Sequence, residues 1–386
     1  MKATLTLLLT FVATLLVSAQ NDTYFENGAQ WYLNKVNAST AWNITQGNSD
    51  VIVAVLDTGI NASHPDLAGQ VLAGYDFVNN DSDASDDNGH GTSVAGCIAP
   101  KTNNGMGLAG IAGNVKLLPV KILDANNAGT TLNIAKGIKY AADQGANIIN
   151  ISVSTTTYSA TMKSAVDYAW EKGCVIVAST GNTGSNATRY PAAFDNVIAV
   201  SSTTFVDSLS SFSTYGSYVD ICAPGSGILT LNQTDGYKSA SGTSYSTPLV
   251  SGAAALLASL PTNLSNTQIV NALLDSATDL GDAGHDEKFG FGLLNAGNAL
   301  FAGMTASASI AAPTETIDPT LTISEVTANG VIVDVTVTKN QAFTIECSND
   351  MNNWTALLSE VGTGATESFE VSDLTQDCGF IRITLN

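Results

Sequence analysis

From Val51 onward the chain alternates short apolar runs with stretches of helical spacing. Val51-Ile52-Val53-Ala54-Val55-Leu56 is apolar at every position, the pattern of a strand buried on both faces. A second such run lies within Val115 to Leu123. Helical spacing then covers Ile134 to Gln144, and Ala146 to Ser152 reads as a strand. Ser159 to Lys172 is again helical and is followed by the strand Val175 to Ala178. Val197 to Val200 and Tyr218 to Ile221 predict two more strands. A small-residue apolar helix follows Ser244, and another at Thr267 to Ala277 closes the unit near Phe301. Strand–helix alternation of this kind predicts an α/β fold, a parallel sheet covered by helices on both faces.

The pattern changes twice outside this region. Residues 302–319 are small, polar and proline-containing, the profile of a linker. From 320 to 386 the hydrophobic period is two, as in Val331-Ile332-Val333-Asp334-Val335, and Asn329-Gly330 reads as a hairpin turn. This predicts a small all-β C-terminal domain, a β-sandwich short enough to benefit from a bridge between Cys347 and Cys378. At the other end, residues 1–19 have the form of a signal peptide. Lys2 precedes an apolar stretch from Leu5 to Val17, and Val17-Ser18-Ala19 fits a small-residue cleavage site. The unit between signal and linker is 20–301.

Charge narrows the partners. With 34 acidic and 14 basic residues the formal net charge is −20, which argues against nucleic acid or an anionic membrane. No segment after the signal is apolar enough to span a bilayer, so the expectation is an exported, soluble monomer. Five cysteines are too few for a disulfide framework. Cys97, Cys174 and Cys222 sit in apolar surroundings and are expected to be buried free thiols.

Candidate chemistry gathers at strand ends. Ser244 opens the small-residue helix inside Ser241-Gly242-Thr243-Ser244, with Pro248 one turn on. A Ser there is commonly an N-cap, and it becomes a nucleophile only if a base activates it. Asp57 ends the first buried strand in Asp57-Thr58-Gly59, where Asp is commonly a turn former, yet open α/β sheets place their sites at that edge. His90 is one of three histidines and lies between glycines in Asn88-Gly89-His90-Gly91-Thr92. Asn182, in Gly181-Asn182, ends a further strand, and its amide can donate to an oxyanion. Together these are the parts of acyl-transfer chemistry in the order Asp, His, Ser, an order already known for subtilisin.

Asp57-Thr58-Gly59, His90-Gly91-Thr92, Gly242-Thr243-Ser244 with Pro248 and the Gly181-Asn182 element are jointly specific. On them, from about Asp22 to Ala299, the chain resembles the subtilisin-like serine proteases, and within them the thermitase-like branch. The resemblance implies a secreted serine endopeptidase acting on polypeptides through an acyl-enzyme. Ser244 would be the nucleophile, His90 the base, Asp57 its orienting acid and Asn182 an oxyanion donor. Ser152, Val153 and Ser154 on one side and the stretch through Ala128 and Gly129 on the other would pair with the substrate backbone. The alternative is a catalytically silent binding protein on the same fold.

The resemblance also implies structural calcium. Asp22, Asp66, Asn104 and the carbonyls of Lys101, Met106 and Leu108 match a first site. The acidic loop with Asp76, Asn79, Asp81 and Asp83 matches a second, or else is a solvated acidic turn. Several positions depart from the family pattern: Ser93, Tyr245 and Leu249 near the catalytic residues, and two in the substrate pocket. Ser154 stands where Gly is usual and should narrow the pocket entrance. Arg189 matches the position at the pocket's bottom. It should turn to solvent or pair with a substrate carboxylate, favouring Glu or Asp there; the alternative is a shortened pocket for small or medium apolar residues. Almost nothing separates Ala19 from Asp22 where many exported members carry a prodomain, so the chain is expected either to fold unaided, with calcium and the N-terminal arm helping, or with the assistance of another factor.

Overall fold

The computed structural model describes residues 20–308 and, beyond them, six strands between 320 and 385. The signal-peptide reading of 1–19, most of the expected linker, Asn329 and the Cys378 end of the expected bridge lie outside the described residues. The chain divides into two compact units, Met1–Ala308 and Ser309–Asn386.

In the first unit three short helices, α1 (Thr23–Glu26), α2 (Trp31–Lys35) and α3 (Ala38–Trp42), precede β1 (Ile52–Asp57) and β2 (Tyr75–Asp76). There follow α4 (His90–Ile98), β3 (Lys116–Lys121), α5 (Thr131–Asp143), β4 (Ile148–Ile151), α6 (Ala160–Glu171), β5 (Val175–Ser179), β6 (Val197–Thr203) and β7 (Ile221–Pro224). The hairpin β8 (Ile228–Leu231) and β9 (Tyr237–Ala240) leads to α7 (Thr243–Ala258), α8 (Asn266–Asp275) and α9 (Ala296–Ala308).

Seven parallel strands run in the order β2-β3-β1-β4-β5-β6-β7. The α/β reading with helices on both faces therefore stands. Side chains alternate across the sheet as the strand period dictates. Val53, Val55, Val175 and Val177 pack with α4 and α7, while Ala54, Leu56, Ile176 and Ala178 pack with α5 and α6. Both faces are dry, which is why β1 reads as a continuous apolar run. Because β1 lies between β3 and β4, the chain leaves it in opposite senses, and the carboxyl ends of β1, β4 and β5 open onto one crevice.

The structure departs from the sequence reading in three ways. The strand expected from Tyr218 begins at Ile221, because the Val219 amide closes a turn on the Gly216 carbonyl. The terminal helix α9 carries on to Ala308, through the first part of the stretch read as linker, since its Ala, Gly, Phe and Met residues permit helix. The β8–β9 hairpin and the three N-terminal helices were not anticipated; each is too short to show a period.

In the second unit the described strands are β10 (Thr320–Thr327), β11 (Gly330–Thr336), β12 (Ala342–Ser348), β13 (Thr355–Val361), β14 (Thr366–Ser372) and β15 (Phe380–Leu385). They form two antiparallel sheets, β10-β11-β14 and β13-β12-β15.

Candidate active site

Asp57 is the last residue of β1, and its carboxylate is wholly buried. One oxygen, Oδ1, accepts from the Thr58 amide and from His90 Nδ1, both at 2.7 Å. With Nδ1 donating there, Nε2 is the basic nitrogen left for the crevice. Burial works against a charged imidazole, but the charge and hydrogen bond of Asp57 outweigh it and hold His90 above its ordinary pKa. The approach needs glycine at 91. A Cβ at Gly91 would stand 3.1 Å from that of Asp57 and collide with the Gly59 carbonyl.

Ser244 lies in the first turn of α7, entered through Gly242 at φ +155°, a backbone that other residues rarely adopt. Its Oγ donates to the Ser152 carbonyl at 3.0 Å. The hydroxyl therefore rests on the end of β4 and is not bonded to His90 among the described residues. Pro248 has no amide hydrogen, so the carbonyl of Ser244, four residues earlier, lacks its helical donor. Ser152 Oγ fills that role at 3.0 Å. Asn150 Nδ2 donates to Ser152 Oγ, and Ser251 Oγ, two turns along α7, donates to Asn150 Oδ1 at 2.8 Å. A buried chain of four residues thus ties the nucleophile's turn to β4.

Asn182 follows β5. Its Oδ1 accepts from the Thr243 amide and hydroxyl, both at 2.9 Å, which fixes the amide plane and leaves Nδ2 directed away from that contact. Nδ2 and the Ser244 amide nitrogen lie 3.3 and 3.7 Å from one point, the place a Cβ on Gly242 would take. His90, Asn127, Ser152, Val153, Ser154, Gly181, Asn182, Ser244 and Tyr245 line a single crevice of about 360 Å³. Ala128 and Gly129 stand next to it in the chain, held by the Asp124 amide on the Ala128 carbonyl and by a bridge from Gly129 to Leu123. Arg189 is not on the wall. Its Cγ lies behind Gly181, 3.6 Å from where a Cβ there would be.

Sequence reasoning missed the residues that hold these parts still. Asp86 accepts from Thr58 Oγ1, the Asn88 and Gly89 amides, and both the amide and hydroxyl of Thr92. Burial would raise its pKa, but those bonds prevail and keep it below the ordinary carboxylate range. Lys121, 2 % exposed, donates to the Thr58 and Leu123 carbonyls and to Asp87. The only signal for either was Asp86-Asp87 immediately before Asn88-Gly89-His90. Thr243, Asn150 and Ser251 gave none, since a hydroxyl or amide in a buried element has no pattern of its own.

Of the first calcium set, Asp22, Asp66 and Asn104 come together. Asp22 accepts from the Asn103 and Asn104 amides, and Asp66 from the Leu108 amide and Asn104 Nδ2. The Lys101 amide donates to the Asp66 carbonyl, and Met106 bonds Asn104. Burial lifts both carboxyls above their usual range, and the charge of Asp66 adds to the rise at Asp22. Among the described residues no three His, Cys, Asp or Glu converge as a metal cluster. Two buried carboxylates linked through Asn104 are nonetheless oxygen donors of the kind a hard divalent cation takes. The second set is a self-satisfied loop. Asp76 accepts from Val78 and Asn79, Asp81 bridges Asp76, and Asp83 caps Ser85. Cys97, Cys174 and Cys222 are buried and free.

Comparison with known proteins gives the family. The profile of the Subtilase family matches residues 48–292. Thermitase of Thermoactinomyces vulgaris is 48 % identical over 67 % of this chain and 91 % of its own. The thermophilic serine proteinase of Bacillus sp. (strain AK1) is 45 % identical over 72 % of this chain and 69 % of its own. Among solved structures, a protease of Pseudoalteromonas arctica PAMC 21717 superposes with a TM-score of 0.67 at 30 % identity, covering 74 % of this chain and all of that one. A lanthipeptide protease superposes at 0.65 with 27 % identity, over 72 % and 95 % of the two chains.

Proposed function

This chain belongs to the subtilase family and is a serine endopeptidase, and from that premise we propose that Asp57, His90 and Ser244 cut polypeptides through an acyl-enzyme. The supporting observation is the 2.7 Å contact between Asp57 and His90 at the mouth of the crevice that Ser244 lines. Substrate enters between Ser152-Val153-Ser154 and the Asn127-Ala128-Gly129 stretch. Its backbone amide takes the Ser152 carbonyl, and the Ser244 hydroxyl, freed from that acceptor, turns to His90 Nε2. Oγ attacks the scissile carbonyl carbon while His90 takes its proton. Asn182 Nδ2 and the Ser244 amide hold the oxyanion. The C–N bond then breaks, His90 returns the proton to the leaving amine, and water repeats the sequence to release the acid. Asp57 keeps the imidazole in one tautomer and stabilises its charged form without itself being protonated.

Protonated His90 cannot act as base. Activity on an unfolded protein substrate should fall as pH drops through the His90 pKa, with the acid limb above the ordinary histidine value because Asp57 raises it. A flat profile from pH 5 to 8 would remove His90 from this role.

Calcium in the Asp22–Asp66 loop would tie the N-terminal arm to the 101–108 segment, supplying positive charge between two carboxylates that burial otherwise disfavours. The Asp76–Asp83 loop is read as a second site, the alternative being a solvated acidic turn. Residues 1–19 serve as a signal for export of a 20–301 peptidase unit, with 302–319 as linker and 320–386 as a small β-sandwich appendage. The protein acts as a secreted monomer without nucleic-acid or membrane partners.

A further inference from the structure

Among the described residues Lys121 is the only buried lysine, and the steps above give its charge no task. It is the last residue of β3 and pairs in register with Asp57. An ammonium has three donors, and here all three are taken. Nζ bonds the Thr58 carbonyl at 2.8 Å, the Leu123 carbonyl at 2.7 Å and Asp87 Oδ1 at 2.6 Å. These acceptors belong to three separate segments: the turn after Asp57, the stretch that runs from Leu123 past Ala128 and Gly129, and the loop before His90.

Each segment leads to a working part of the crevice. The Thr58 amide donates to Asp57 Oδ1, and the Thr58 hydroxyl accepts from the Gly91 amide beside His90. Leu123 bonds the Asp57 carbonyl through its amide and bridges Gly129, and Asn127 between them lines the crevice. A second tie runs through Asn88, whose Oδ1 accepts from the His90 amide at 3.2 Å while Nδ2 donates to the Ala125 carbonyl at 2.9 Å. Thr58 and Leu123 lie beyond the last β1–β3 pair, where the ladder no longer supplies donors. A compact ammonium with three rotatable donors answers acceptors from three directions, which a planar guanidinium does less well.

We propose that Lys121 is a positioning residue that couples the 123–129 stretch to the Asp57–His90 pair. The proposal rests on the endopeptidase reading above, with substrate lying along Asn127-Ala128-Gly129, and adds how contact there reaches the catalytic groups. Binding energy from parts of a substrate remote from the scissile bond raises kcat only where it is turned into accurate placement. That requires a rigid frame between the stretch and His90, and Lys121 is where the three segments meet. Without its ammonium a long substrate still binds, but its carbonyl is held less accurately against Ser244 and His90.

The test compares a single-residue ester with a peptide ester that carries several residues before the same scissile bond, on the full chain, with active sites counted by fluorophosphonate labelling. In Lys121→Met the gain in kcat from the longer substrate should shrink by about tenfold or more, with its KM little changed, and Lys121→Arg should restore part of the gain. Asn88→Ala, at a less buried position, should shrink the same gain by about threefold, and it decides the question where Lys121→Met fails to fold. Equal losses on both esters in these variants, or losses in KM alone, would overturn the coupling. An unaltered chain that gains nothing from the longer substrate would overturn it too, while cleavage itself upholds the endopeptidase reading. Absence of both cleavage and labelling in the unaltered chain would overturn that reading as well.

Discussion

Two groups of buried carboxylates in this molecule reach opposite ends. Asp57 is enclosed at the end of β1 and finds its counter-charge inside the chain, in His90, while Asp86 and Lys121 brace the loops on either side. Asp22 and Asp66 are enclosed near the N-terminal arm and accept mainly from amides, with the Tyr237 hydroxyl also bonding Asp66, and burial lifts both. The first group draws its counter-charge from the protein through Asp57 Oδ1, while Oδ2 is buried without a hydrogen-bond partner, and its charge is available for chemistry. In the second, no ion pair among the described residues includes either carboxylate, so hydrogen bonds alone answer its charge. The same residue type thus does catalytic or structural work according to whether the fold supplies the positive partner.

The contrast is broken most severely at the catalytic end. Ser244→Ala should lower kcat by about a millionfold, the scale for loss of such a nucleophile, with the Asp57–His90 pair intact by histidine NMR. Asn182→Ala should cost about 10²–10³ in kcat with KM little changed, as loss of one oxyanion donor does. At the other end, a calcium chelator should leave the triad geometry alone and lower Tm. A site filled at a hundred times its Kd contributes about 3 kcal/mol, or roughly 5–10 °C for a unit of this size. Asp66→Asn should abolish that sensitivity in a thermal melt, and an unchanged Tm on chelation would remove the cation from the account.

Smaller effects sharpen the comparison. Ser152→Ala leaves the Ser244 carbonyl without the donor that Pro248 denies it, so stability should fall by about 1–3 kcal/mol in urea unfolding. Loss of Ser152 should also lower kcat more than it raises KM, since the nucleophile's turn loses its anchor. Asp220 is a part-buried carboxyl, raised to about 6 by its burial, with a bond from the Ala199 amide. Because the folded state holds its proton more tightly than the unfolded state, stability contributed by the neutral form is lost as pH rises from about 4 through 6. Asp220→Asn should flatten that part of the Tm–pH curve by a degree or two.

The sheet and its helices were legible because burial on both faces leaves unbroken apolar runs such as Val53 to Leu56, and helices show their spacing. Asp57, His90, Asn182 and Ser244 were legible because each interrupts such an element at its end, next to glycines that only a close approach requires. Asp86, Lys121, Thr243, Asn150 and Ser251 were not. Their roles consist of hydrogen bonds between residues far apart in the chain, as in the 101-residue separation of Ser251 from Asn150. The strand misplaced at Tyr218 failed for a related reason: apolar content was right, but a turn to Gly216 already claimed the Val219 amide.

The central claim is that Ser244 is a nucleophile activated by His90, and its most direct test is labelling of the folded protein with a serine-directed fluorophosphonate. One equivalent should attach to Ser244, faster as pH rises through the His90 pKa, and Ser244→Ala should take none. A folded wild-type protein that takes no label, or an equal label on Ser244→Ala, would contradict it.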